Sequence, residues 1–478
     1  MKKYTKGIIY GFLILFAIVF IYGIYFIYNA LPIGTGYSAK YLCSQVFLSD
    51  RDPEYIVTEE INPTNPLFGL VSNRIDREKK EVTSVGLGFL QDTTAIYREG
   101  FGCTVLVERT RDDLMGQVEG STPSFSNPDT LLWPAGNMVD LRRLPSGVDG
   151  EKLEEALNFA FLQKKNAPPV RTQAVVIVYR GRLIAEQYAD NITPETRLLG
   201  WSMTKTVTGT LVGMLVKDGK LDVNSPAPVD AWKNPDDPRS KITLDNLMRM
   251  SSGLEFEEVY GPLKDVTEML YDRADMAAYA ASKPPAHKPG TSWYYSSGTA
   301  NIIMGIVKNT VGGSLVDLQK FAQQRLFKPL HMDSALIEPD ASGNFVGSSY
   351  MFATARDWAR MGQFLLQNGR WEGKQLLPVD WVQYCTATTP GSEGQYGAQL
   401  WLNRGKPGLQ DVRSYPGLPD NMFYLSGYNL QRVAVFPGRH LVVVRMGVTH
   451  QEEKTFNFGK FAQMVLEAVG EMQPSIRN

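Results

Sequence analysis

The sequence predicts an α/β (α+β) sandwich: a central antiparallel sheet flanked by helices, with an all-helical domain beside it. Two observations carry this. Strand-like pairs stand at both ends of a region running from about residue 170 to residue 450, and the stretch between them reads as mostly helical. A third observation, an apolar amino terminus, sets where the folded part resides.

Lys2, Lys3 and Lys6 precede that apolar run, and no charged residue appears from Gly7 to Ala39. About twenty apolar residues suffice to cross a bilayer as one helix, and the basic end stays on the cytoplasmic side. The expectation is an uncleaved single-pass anchor in the inner (cytoplasmic) membrane, with the rest periplasmic or extracellular. A cleaved signal peptide is the rival reading. The run is long for one, and no small-x-small site closes it. The expected organisation is a cytoplasmic tip and anchor over 1–29, an amino-terminal extension over 30–165, and a main domain over 166–478. A mostly helical subdomain falls at about 225–345.

The extension shows strand-like runs such as Thr104 to Val107, separated by polar stretches such as Glu119 to Asn127. An irregular layer packed on the main domain is expected. Glu151 to Lys165 reads as a helix with an apolar side from Leu153, Ala156, Leu157, Phe159, Ala160 and Phe161, and Pro168 and Pro169 stop it. Ala174 to Tyr179 reads as a strand, with a turn at Arg180 to Arg182 and a return over Leu183 to Tyr188. Gln431 to Phe436 and His440 to Met446 form a similar pair around Pro437 and Gly438. The four strands fit one sheet, with Phe458 to Val469 as a closing helix. Thr243 to Arg249 and Ala300 to Asn309 are among the helical segments between.

Composition narrows the function classes. A formal net charge of −1 argues against a nucleic-acid surface. The charge run from Arg74 to Glu81 mixes both signs, as a solvated face does. Four scattered histidines and no HExxH pattern argue against a catalytic metal. Of three cysteines, Cys43 and Cys103 share the amino-terminal region and are the natural pair if export permits a disulfide; three buried thiols remain the alternative.

Ser202 is the one serine with a lysine, Lys205, three residues on. On a helix that spacing puts both side chains on one face. A hydroxyl beside an amine that is neutral part of the time can become a covalent nucleophile. The apolar stretch Leu211 to Gly219 follows, so the pair sits at a helix start, where backbone N–H groups favour developing negative charge. An N-cap serine with a solvent-facing lysine fits the same letters. In PGTSWYYSSGTA, Tyr294 and Tyr295 are adjacent, and one of them can point into a pocket and relay a proton; amphipathic packing is the plainer role. In LSGYN, Gly427 permits close backbone approach, and an adjacent N–H can stabilise an oxyanion, although a simple turn reads equally well.

These segments resemble the motifs of the serine β-lactamase-like hydrolases. That superfamily includes penicillin-binding proteins, class C β-lactamases, family VIII esterases and 6-aminohexanoate-dimer hydrolases, and the chain looks most like the last group. The likeness covers roughly residues 170–470. S-x-x-K appears as Ser202 to Lys205, Tyr-x-Asn as Tyr295 to Ser297, and Lys-Thr-Gly as Leu425 to Gly427, with LMRMSSGLEF and LVVVRMG in supporting places. The resemblance implies the β-lactamase/transpeptidase-like fold, with the site between the sheet domain and the helical domain. It implies Ser202 as acylated nucleophile, with Lys205 helping to deprotonate it and Tyr295 as proton relay or base. It also implies an oxyanion hole from the N–H groups of Ser202 and Tyr428, with Ser297 and Gly427 at the substrate. No cofactor and no metal is implied.

Two departures matter. Ser297 replaces the usual asparagine, and Leu425 replaces a cation used by β-lactam-recognising relatives. The expected activity is hydrolysis of small linear or cyclic esters or amides through an acyl-enzyme. A D-amino-acid peptidase or weak β-lactamase on cell-wall-like substrates is the alternative, and a non-catalytic envelope binding protein is a further one. The expected partners are the small-molecule substrate and the membrane, with oligomeric state left open.

Overall fold

Alternation along one sheet builds two cores. The computed structural model describes residues 2–119, 131–163, 167–405, 413–450 and 455–470, with side chains from Tyr10 onward. Within it, six strands run in the order Trp401–Leu402, Phe423–Gly427, Gln431–Phe436, Leu441–Gly447, Thr172–Tyr179 and Arg182–Tyr188. Every neighbouring pair is antiparallel. Val444 faces Val176 across the central pair, and Val443 faces Ile177. Successive residues point to opposite faces. Val176, Val178, Val433, Val435 and Val444 enter the larger core, while Val175, Ile177, Ala434 and Val443 enter the smaller one.

The helix Ala355–Leu366 covers the first face, packed on three of these strands. Gly150–Phe161 and Phe458–Ala468 cover the second. This is the sandwich the sequence predicts, and the four expected strands do share one sheet. Helices Thr204–Lys217, Leu244–Met248, Asp265–Asp272, Met276–Ala281 and Ser297–Val311 form the helical region. Thr243 opens Leu244–Met248 with a reciprocal cap: its hydroxyl accepts from the Asn246 N–H, and its own N–H donates to the Asn246 side chain.

The amino-terminal layer is more regular than expected. Val71–Asp76, Glu81–Gly86, Gln91–Arg98 and Gly102–Val105 make a four-stranded antiparallel meander. Its first strand is half-buried at best, so polar residues mask the strand pattern. Glu119 to Asn127 lies, beyond Glu119, outside the described residues, as do Lys164 and Lys165 of the expected helix.

One helix runs from Lys2 to Phe47. Its side chains are exposed from Tyr10 to Tyr22 and buried from Thr35 to Val46. A Cβ on Gly36 would lie 2.8 Å from Tyr271 Cβ, so the helix approaches Asp265–Asp272 at backbone distance there. Buried Lys40 pairs with buried Glu338, which also accepts from Ser44 and the Cys103 N–H. A disulfide joins Cys43 to Cys103, and Cys385 is free and buried.

Candidate active site

The sheet edge and the helical region meet around Ser202. Gly200 has no room for a side chain, since a Cβ there would sit 2.2 Å from the Trp358 ring. Trp201 follows in the left-handed region, at φ 48°. A bulky residue rarely adopts that conformation, and such strain persists where surroundings enforce it. Here the indole lies among Tyr41, Tyr350 and Tyr428. The turn Trp201–Met203 then leads directly into helix Thr204–Lys217 and leaves Ser202 partly open.

Lys205 is buried, 2% exposed. Its Nζ lies 3.1 Å from Ser202 Oγ, 3.0 Å from Ser297 Oγ and 3.0 Å from the Ser348 carbonyl oxygen. Burial lowers its pKa to about 8, against a smaller opposing pull from the Glu258 charge. The partners fix the direction of the lone pair. A carbonyl only accepts. The Ser297 hydroxyl donates to Glu258 Oε1 at 2.5 Å, so toward Lys205 it too accepts. Two N–H bonds of a neutral Lys205 amine are therefore committed, and its lone pair is left facing Ser202. Deprotonation at this nitrogen produces a base aimed at the serine hydroxyl.

Glu258 is the residue that sequence reasoning missed. Its Oε2 also accepts the Ser297 N–H at 2.7 Å, and the Tyr294 hydroxyl accepts the Glu258 N–H at 3.1 Å. Both carboxylate oxygens accept hydrogen bonds from Ser297, an arrangement that suits the ionised form. Burial nonetheless raises its pKa, while the Lys205 charge and both Ser297 hydrogen bonds pull it back. Glu258 sits two residues past the LMRMSSGLEF segment, among Glu255 and Glu257. Three acids in four positions gave no sign of which one turns inward.

Tyr295 is half-buried against Tyr396 and Trp401, and Lys205 Nζ lies 4.8 Å from its ring centre. Burial raises its pKa, and a hydrogen bond with Ser202 partly offsets that. Tyr294 points elsewhere and is exposed, which fits one tyrosine of the pair entering the pocket. Gly427 ends its strand beside Gly200, whose carbonyl oxygen would lie 2.1 Å from a Cβ there. Tyr428 follows, with its ring edge-on to Trp201 and stacked on Tyr260. Ser202, Lys205, Tyr295 and Ser297 thus converge, with Gly427 and Tyr428 beside the turn that carries Ser202. Leu425 is fully buried in the larger core, so hydrocarbon fills that strand position.

The arrangement can accept a proton from Ser202 at Lys205 and hold a neutral phenol next to the same oxygen. The model of the Beta-lactamase family matches residues 163–461, more than half of the chain. The chain belongs to that family. The matched region takes in Ser202, Lys205, Glu258, Tyr295, Ser297, Gly427 and Tyr428. A relative, the 6-aminohexanoate-dimer hydrolase of Paenarthrobacter ureafaciens, is 26% identical over 265 residues. That match spans 50% of this chain and 66% of the relative, just under two thirds of the relative's length. A Bacillus anthracis structure with a provisional 6-aminohexanoate-dimer hydrolase name shares the fold at TM-score 0.53 and 21% identity. It covers 72% of this chain and 89% of its own. A family VIII carboxylesterase structure does so at TM-score 0.51 and 14% identity, covering 68% and 97%.

Proposed function

We propose that the protein is a membrane-anchored serine hydrolase that cleaves esters or amides through an acyl-enzyme on Ser202. The observation that carries this reading is the Lys205 amine, buried and hydrogen-bonded so that its lone pair faces Ser202 Oγ. Family membership and the 6-aminohexanoate-dimer hydrolase relative support the substrate class.

The two shifted groups divide the proton work. Lys205 titrates at about 8 and is partly neutral near physiological pH. Tyr295 is pushed upward and remains a phenol. Lys205 is therefore the base and Tyr295 the proton relay. Ser202 Oγ attacks the carbonyl carbon as its proton passes to Lys205 Nζ. The backbone N–H groups of Ser202 and Tyr428 receive the oxyanion. Tyr295 passes a proton to the departing alcohol or amine. Water, activated by the same two groups, then cleaves the ester on Ser202 and restores the enzyme.

The apolar amino-terminal helix is read as an uncleaved anchor. It continues without a break into a segment rooted in the fold by Gly36, Lys40 and Cys43. The disulfide suits an oxidising compartment outside the cytoplasm. Buried Leu425 weighs against recognition of a β-lactam carboxylate.

A panel of p-nitrophenyl esters, linear amides, D-amino amides and nitrocefin tests the reading. Ester or linear-amide turnover abolished by Ser202→Ala is expected. Turnover at background level, unchanged by that substitution, would overturn it.

A further inference from the structure

Among the described residues, a cavity of about 410 Å³ joins the amino-terminal helix to the neighbours of Ser202. Phe26, Ile27, Ala30 and Leu31 of that helix line it, and so do Trp201 and Tyr428. Trp201 immediately precedes Ser202, and Tyr428 carries the second proposed oxyanion donor. The volume lies in the range of small-molecule sites, roughly 300–1,000 Å³. No charged side chain lines it; aliphatic and aromatic groups dominate.

Its height relative to a bilayer follows from the helix. Residues 10–29 rise ~30 Å at 1.5 Å per residue, the thickness of a hydrocarbon core. From Thr35 onward the helix is buried in the body. The segment Ala30–Gly34, half-buried, lies between these two parts and borders the cavity. On the anchor reading above, the cavity's border on Ala30–Gly34 falls where the helix leaves the membrane.

A second observation marks the same level. The turn after strand Glu81–Gly86 exposes Leu87, Leu90 and Phe89, the last at 81%. Nearby Leu70 is exposed as well, and its carbonyl accepts the Leu87 N–H. Gly86 packs against Leu31, so this apolar tip stands beside the helix where the cavity borders it. Contiguous exposed hydrocarbon of this kind is covered in a working protein, and a bilayer interface at this level would cover it.

We propose that the cavity holds the acyl chain of a long-chain carboxylic ester drawn from the bilayer, so that membrane lipid esters are the substrate class of Ser202. This rests on the serine hydrolase reading above. Ser202 Oγ forms a bond to the acyl carbon as the ester C–O bond breaks. The alcohol leaves with a proton, and water releases the fatty acid. One ester and one water give one acid and one alcohol.

The test uses the full-length protein with two substrate sets: p-nitrophenyl esters from acetate to decanoate in detergent, and vesicles of phosphatidylcholine carrying a fluorogenic long-chain diacylglycerol. Gly34→Leu supplies the control. Gly34 borders the cavity, and a Cβ there meets nothing nearer than Phe68 at 4.0 Å, so the larger side chain fills the cavity without forcing the backbone. The expected result is kcat/KM rising by up to about fourfold per added methylene. Gly34→Leu removes that rise and leaves acetate turnover unchanged, and the vesicle ester is consumed by the unsubstituted protein. Acetate turnover without a chain-length gain, or with a gain that survives Gly34→Leu, overturns the acyl cavity and leaves the hydrolase reading standing. A chain-length gain without consumption of the vesicle ester overturns the bilayer source. No turnover of any ester overturns the proposal, and no turnover of linear amides besides overturns the hydrolase reading with it.

Discussion

Glu258 holds Ser297 by two hydrogen bonds, accepting its backbone N–H at 2.7 Å and its hydroxyl at 2.5 Å. That grip makes Ser297, which stands where the resembled motif has asparagine, a pure acceptor toward Lys205. The substitution noted in the sequence therefore does not leave the lysine unsupported. It exchanges one amide for a hydroxyl and a carboxylate.

The Glu258 charge raises the Lys205 pKa while burial lowers it to about 8. The neutral amine is the active base, so kcat/KM should climb with pH through a single ionisation near 8. Glu258→Gln removes the charge that favours protonated Lys205. Its acid limb should move to lower pH, with a rate loss smaller than the ~10²–10⁴-fold expected for removing the base. A pH–rate profile of both proteins checks this. An unmoved or upward-shifted limb would contradict the link.

Gly427 lies against Gly200, where a Cβ would approach the carbonyl oxygen to 2.1 Å. Gly427→Val must shift either the strand end or the turn that carries Ser202. A displacement of about 1 Å costs on the order of 10²-fold in rate. Steady-state kinetics at a temperature where circular dichroism reports folded protein should show that loss mainly in kcat. Wild-type rates would show that the two backbones do not need this contact.

The disulfide closes a span of 60 residues between the amino-terminal helix and the meander. The chain-entropy relation assigns a loop of that length about 4 kcal/mol. Cys43→Ser, or reduction, should lower the unfolding free energy read from a urea titration by an amount of that order. Cys385 is buried, and burial pushes its thiol up to about 12, so it should resist alkylation in the folded protein.

An uncleaved anchor predicts that the full-length chain stays with membranes after alkaline carbonate extraction and begins at or near Met1 by mass. A mature form starting beyond residue 29 would instead identify a signal sequence.

Much of the sheet was legible because its strands are buried on both faces and read as nearly continuous apolar runs. Gln431–Phe436 matches its expected bounds, and Thr172–Tyr179 begins two residues before its expected start. In the meander, the run Thr104 to Val107 overlaps the strand Gly102–Val105, but the first strand was not legible, because Val71–Asp76 buries little and carries Asn73, Arg74 and Asp76. At the site, Ser202 and Lys205 were legible because their spacing is local. Glu258 and the Ser348 carbonyl were not. They reach Lys205 across 53 and 143 residues of chain, and a backbone carbonyl leaves no trace in the letters.

The central claim is that Ser202 is the acylated nucleophile. Peptide mass spectrometry after treatment of the full-length protein with a serine-directed fluorophosphonate tests it most directly. One adduct on Ser202, formed faster as pH rises through about 8 and strongly slowed in Lys205→Ala, is the expected result. Folded protein with no adduct on Ser202, or with its adduct on another serine, would contradict the account.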